Sequence, residues 1–108
     1  MSNAMNVTDA NFEAEVEQHG GLTVVDFWAT WCAPCRAMAP AVEQAARELE
    51  PLVRIAKIDT EAESQLALRY RIRSIPTLVM LRDGEEVARM SGAIESSRLI
   101  AWVRENLH

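Results

Sequence analysis

The chain is poor in cysteine: its 108 residues contain two, Cys32 and Cys35. A secreted domain stapled by disulfides carries more cysteines, at wider separations. A bridge closing so short a loop adds little chain-entropy stabilisation. A structural staple is therefore a weak reading of the pair. Glycine and proline are sparse, four of each, and no segment is repeated or low in complexity, which argues against disorder. No apolar run approaches the ~18 residues needed to cross a bilayer. No basic stretch followed by an apolar one opens the chain, so no signal peptide and no membrane attachment are expected, and the expected location is the cytoplasm. Basic residues are in the minority. Eleven Lys and Arg face 16 Asp and Glu, a formal charge of −5, which argues against nucleic-acid binding. No glycine-rich nucleotide motif is present, and no bound cofactor is expected.

What is present suffices for one core. Apolar residues make up 49% of the chain, and the length suits one domain. Met1-Ser2-Asn3-Ala4 precede a second methionine, Met5. Residues 1–4 read as the remnant of an expression tag, and the domain is expected over 5–108.

The pattern alternates helices and strands. Thr8 or Asp9 can cap a first helix with Phe12 and Val16 inward, ended by Gly20-Gly21. Leu22 to Ala29 is almost continuously apolar, as in a strand buried on both faces. Pro34 suits the first turn of a helix. Met38, Ala41, Val42, Ala45 and Leu49 carry that helix to about Glu50, with Pro40 inside it as an expected kink. Val53 to Ile58 reads as a second buried strand. Thr60-Glu61-Ala62-Glu63 has the form of a capping box opening a helix with Ala62, Leu66 and Tyr70. Thr77 to Leu81 and Glu86 to Met90 are strands joined through Asp83-Gly84, a hairpin signal. A last helix from about Ser96 buries Leu99, Val103 and Leu107, with Trp102 beside them. A short strand at Met5 to Val7 can precede them all. The expected class is α/β: one mixed sheet of about five strands flanked by four helices.

Cys32 and Cys35 fall between the buried strand and the helix after it. A free thiol has a pKa of ~8.5, so roughly 3% is thiolate at pH 7, and the thiolate is the attacking species. The unpaired N–H groups of a helix start favour an anion at Cys32 by up to ~2 kcal/mol, or about 1.5 pKa units. Cys35, one helical step on, lies beside Cys32 but deeper. Cys32 is thus the expected nucleophile and Cys35 the resolving thiol, leaving a Cys32–Cys35 disulfide. Asp26 is the only charge in its apolar strand. Desolvation should raise its pKa and make it the proton acceptor for Cys35. Lys57, in the neighbouring strand, is the candidate partner that tunes it.

Blander readings stand beside these. A Cys-x-x-Cys zinc site needs two further ligands, and the histidines, His19 and His108, are far off in sequence; no metal is expected. Two inert buried cysteines are another reading. Asp26 can be an ion pair with no part in the chemistry, and Lys57 can be purely structural.

The segment Phe27-Trp28-Ala29-Thr30-Trp31-Cys32-Ala33-Pro34-Cys35-Arg36 resembles the active-site segment of thioredoxins. Asp26, Pro40, Lys57, Ile75-Pro76-Thr77, Gly84 and Gly92 stand where that family has them. The resemblance covers about residues 6 to 107. Thr60-Glu61-Ala62-Glu63 and Ile72-Arg73-Ser74-Ile75-Pro76-Thr77 look most like the second bacterial type, whose N-terminal zinc module this chain lacks. The resemblance implies the thioredoxin fold and a cis Pro76 against the cysteines, exposing the Ile75 backbone to an extended substrate strand; a trans proline opening the strand is the alternative. It implies a substrate patch of Trp31, Ala33, Pro34, Ile75, Pro76, Gly92 and Ala93. It also implies a monomer that reduces protein disulfides and takes electrons from NADPH through a separate thioredoxin reductase. Ala33 replaces the family's usual Gly, Arg36 its Lys, and Arg71 follows Tyr70 where Gly is common. Pro34, which goes with a reducing poise, is retained. A binding or chaperone subunit with incidental redox chemistry is the alternative from another class, and an oxidase or isomerase the alternative in direction.

Overall fold

The apolar run at Leu22 becomes the central strand β2, Leu22–Trp28, in a computed structural model that describes residues 4–107. The proposed tag residues 1–3 and His108 lie outside the described residues. The other strands are β1, Met5–Asn6; β3, Arg54–Asp59; β4, Thr77–Arg82; and β5, Glu85–Ser91. They form one sheet in the order β1-β3-β2-β4-β5. β1 and β2 run parallel to β3, and β4 runs antiparallel to both β2 and β5. The helices are α1, Ala33–Leu49; α2, Ser64–Arg69; and α3, Ser96–Glu105, preceded by a short π-helix at Glu13–Glu17. The five-stranded mixed sheet with four helices agrees with the sequence reading.

Alternation along the strands divides the core between two faces. On one, Leu22, Val24, Ile55, Leu78 and Met80 pack with Met38, Val42 and Leu49 of α1 and Leu99 and Val103 of α3. Ala4, set aside by sequence with the tag, is buried in this cluster. Leu107 lies beyond α3 and is only partly buried against it. On the other face Val25, Phe27, Ile58, Val79 and Leu81 pack with Phe12, Val16, Leu66 and Tyr70. Asp26 shares its parity with Leu22 and Val24, so it falls on the α1 side. Register pairs it with Lys57 on β3 and Leu78 on β4.

Local hydrogen bonds explain where elements begin. The Thr8 hydroxyl oxygen accepts the Asn11 N–H at 3.1 Å, and the Asn11 side-chain oxygen accepts the Thr8 N–H at 2.8 Å. Thr8 thus opens the N-terminal helical segment. The expected capping box at Thr60 does not form. The Thr60 hydroxyl instead donates to the Trp28 carbonyl at 3.0 Å. Asp59 accepts the N–H groups of Glu61 and Ala62, and regular helix begins only at Ser64. A distant residue caps it: the Asp9 carboxylate accepts the Leu66 N–H at 3.1 Å, while Glu63 accepts the Asp9 N–H at 2.9 Å. A cap supplied across 57 positions of chain is invisible to a local motif.

The end of α2 is a Schellman motif. The Ile72 N–H reaches the Ala67 carbonyl at 2.9 Å and the Arg71 N–H reaches Leu68 at 3.0 Å. Arg71 between them has φ 54°, the left-handed region that costs a side chain about 1 kcal/mol relative to glycine. Arg71→Gly is therefore expected to raise the unfolding free energy by about that amount; an unchanged or lower melting temperature would refute it. The β4–β5 hairpin turns on Asp83 and Gly84, both at positive φ (54° and 89°), as a two-residue primed turn requires.

Candidate redox site

The helix start predicted at the cysteines is present. Cys32 has extended backbone, φ −85° and ψ 106°, and caps α1. Its Sγ accepts the Cys35 N–H at 3.2 Å. The sulfur therefore sits on the positive end of the helix, where a thiolate is favoured. Pro34 occupies the first turn, where no intrahelical donor is lost. Cys32 and Cys35 are joined in a disulfide with Cα atoms 5.3 Å apart, and both are buried, at 4% and 3% exposure.

Ala29, Trp28 and Ile75 pack around the disulfide. The Ile75–Pro76 peptide is cis. The Ile75 carbonyl oxygen lies 3.9 Å from Cys32 Sγ. Pro76 is buried, and its carbonyl accepts the Gly92 N–H at 2.9 Å. β4 begins at Thr77, so Ile75 lies outside the strand ladder. Below, the Thr77 hydroxyl donates to the Ser74 carbonyl at 2.7 Å, which ties the loop to the strand.

A groove of about 540 Å³ opens at Cys32, walled by Trp31, Ala33, Pro34 and Ile75. Trp31 is 64% exposed, a large apolar surface open to solvent beside a buried sulfur. Pro76, Gly92 and Ala93, grouped with these residues by sequence, are not in this groove. Ala93 lines a second groove with Met38, Met90, Ile94 and Arg98. Gly92 is tied to the site by its bond to Pro76. Thr60, Ile72, Arg73 and Ser74 complete the first groove and were not singled out as site residues. The signal for three of them was adjacency, since Ile72-Arg73-Ser74 leads directly into Ile75-Pro76. A larger cleft of about 580 Å³, lined by His19, Glu50 and Arg54, contains neither cysteine.

Asp26 is 1% exposed, and its Oδ1 has no hydrogen-bond partner. Burial raises its pKa to about 6, and the positive charge of Lys57 opposes the rise. The Lys57 Nζ lies 5.1 Å from the centre of the Trp28 ring. Trp28 is half-buried, and its own Nε1 lacks a partner. A carboxylic acid, an ammonium group and an indole are thus gathered on the sheet beneath the disulfide's helix. Among the described residues, no group of three or more His, Cys, Asp or Glu is placed to hold a metal ion. No helix among them is long and apolar enough to cross a membrane.

A disulfide at a helix start, beside a cis proline and an open apolar groove, defines a thiol–disulfide oxidoreductase. The comparisons with known proteins agree. The family model described as Thioredoxin matches residues 3–105. The chain is 44% identical over 103 residues to thioredoxin C-2 of Corynebacterium nephridii, covering 95% of each chain. It is 42% identical over 101 residues to the thioredoxin of Rhodospirillum rubrum, covering 94% of this chain and 97% of the other. It is 36% identical over 103 residues to that of Pseudomonas aeruginosa, covering 95% of each. The chain belongs to the thioredoxin family, and its Cys-x-x-Cys pair makes it a protein-disulfide reductase.

Proposed function

We propose that Cys32 is the nucleophile, Cys35 the resolving thiol and Asp26 the proton acceptor in dithiol–disulfide exchange with protein substrates. The Cys35 N–H bond onto Cys32 Sγ carries this reading, because it marks Cys32 as the sulfur whose negative charge the helix start favours. The Cys32 thiolate attacks one sulfur of a substrate disulfide, forming a mixed disulfide and releasing the other substrate sulfur as a thiolate. Cys35 passes its proton to Asp26 and attacks Cys32 Sγ. The second substrate thiolate leaves, and the Cys32–Cys35 disulfide of this structure remains. An acceptor with pKa about 6 is ionised at neutral pH, yet basic enough to take part in the transfer. Lys57 tunes Asp26 through its charge.

An extended client strand lies along Trp31, Ala33, Pro34 and Ile75, using the Ile75 backbone, which lies outside the strand ladder. Pro76, with Gly92 and Ala93 behind it, shapes the loop that presents that backbone. The oxidised protein is returned to the dithiol by a separate thioredoxin reductase drawing on NADPH. It works as a monomer in the cytoplasm.

Cys35→Ser tests the division of labour. It is expected to trap clients as mixed disulfides through Cys32, identified by mass spectrometry of the adduct peptides. A Cys32→Ser variant that traps the same clients through Cys35, with no adducts on the Cys35→Ser protein, would reverse the assignment.

A further inference from the structure

Four of the chain's 11 Lys and Arg gather at one cleft. It has a volume of about 540 Å³ and is lined by Arg69, Arg71, Arg73 and Arg89, with Glu86 the only acid. Its walls carry three net positive charges on a chain of net −5. Two of the arginines are engaged. Arg69 bonds Glu17 at 3.2 Å, and Arg89 bonds Glu86 at 2.7 Å. The exposed guanidinium groups of Arg71 and Arg73 have no hydrogen-bond or ion-pair partner among the described residues.

The cleft adjoins the redox groove at Arg73, which lines both. Arg71 stands in a left-handed conformation that disfavours any side chain, so local stability does not account for arginine there. We propose that Arg71 and Arg73 form a carboxylate-recognising subsite beside the redox groove, selecting clients with Asp or Glu next to the reactive cysteine. The occupant is an acidic stretch of the client disulfide's own strand. Planar guanidinium forks match carboxylates, and the rest of the chain carries a net negative charge that disfavours such a client. This inference rests on the redox reading above.

The test compares kcat/KM for two synthetic peptide disulfides, identical except for Glu or Gln beside the cysteine, with neutral hydroxyethyl disulfide as reference. The Glu peptide is expected to be favoured by about tenfold at low salt, since an exposed charge pair changes binding by about two- to fivefold. Raising salt should shrink the preference. Arg71→Gln and Arg73→Gln should each reduce it about threefold, and Arg71→Lys should restore part of it. Arg71→Gln should reduce hydroxyethyl disulfide at the wild-type rate. A Glu-to-Gln ratio unchanged in the Arg71→Gln/Arg73→Gln double variant, or a wild-type preference for Gln, overturns the subsite. If wild type fails to reduce even hydroxyethyl disulfide, the redox reading itself falls, a result distinct from a lost preference.

Discussion

Cys32→Ser is expected to bring dithiothreitol-driven insulin reduction down to the uncatalysed rate, a loss of about a thousandfold or more. The reason lies in the geometry at the start of α1. Cys32 Sγ receives the helix-terminal N–H of Cys35 and faces the groove between Trp31 and Ile75. Cys35 lies inside the first turn of α1 and does not line that groove. A serine hydroxyl at position 32 is not ionised at neutral pH and cannot form a disulfide. Insulin turbidity followed with equal concentrations of wild type and variant is the measurement. A variant as active as wild type would favour a binding or chaperone subunit whose activity in the assay owes nothing to thiol exchange.

Asp26→Asn is expected to stabilise the fold above pH 7 by about 2–3 kcal/mol while slowing reduction about tenfold or more at neutral pH. The stability part follows from proton linkage. The folded protein holds the Asp26 proton up to about pH 6, whereas the ordinary value for an exposed Asp is 3.8. Below about pH 4 both states are protonated and burial of the neutral acid carries no charge penalty. Between about pH 4 and 6 the unfolded chain releases its proton while the folded chain keeps it, so stability falls as pH rises. Above about pH 6 the full penalty is present: roughly two pKa units at 1.36 kcal/mol each, or about 3 kcal/mol. Asparagine removes the charge but keeps a buried polar group, so the gain approaches that figure without exceeding it. Urea titrations at pH 4 and pH 8 should show a small difference between the proteins at the first and the larger one at the second. The kinetic part separates chemistry from structure. If Asp26 accepts the Cys35 proton, the pH–rate profile of the variant moves to higher pH. A purely structural Asp26 shifts stability alone and leaves the profile where it was.

The site was legible to different depths. Cys32, Cys35 and Asp26 were readable because each rests on local contrast: two thiols at a three-residue offset, and one charge inside an apolar strand. Lys57 followed from strand order, and register sets it beside Asp26. The groove was only partly readable. Trp31, Ala33, Pro34 and Ile75 meet there, and Ile72, Arg73 and Ser74 come with Ile75 along one loop, but Thr60 joins from the turn after β3. Thr60 is instructive. Its sequence has the form of a capping box, but its hydroxyl bonds the Trp28 carbonyl rather than the helix N–H it was expected to serve.

Periodicity and spacing by themselves determined the order of helices and strands, the burial of β2, a hairpin through Asp83-Gly84 and the placing of Cys32 and Cys35 one turn apart at a helix start. These depend on residues within a few positions of one another, where side-chain alternation, turn conformation and helix geometry are set by covalent connectivity. Only the tertiary structure decided that Asp9 caps α2, that Asp26 faces α1 with an unpartnered oxygen, and that Arg73 joins the redox groove to a basic cleft. Each of those depends on segments far apart in sequence, and no local pattern encodes which polar groups the packed chain will bring together or leave alone.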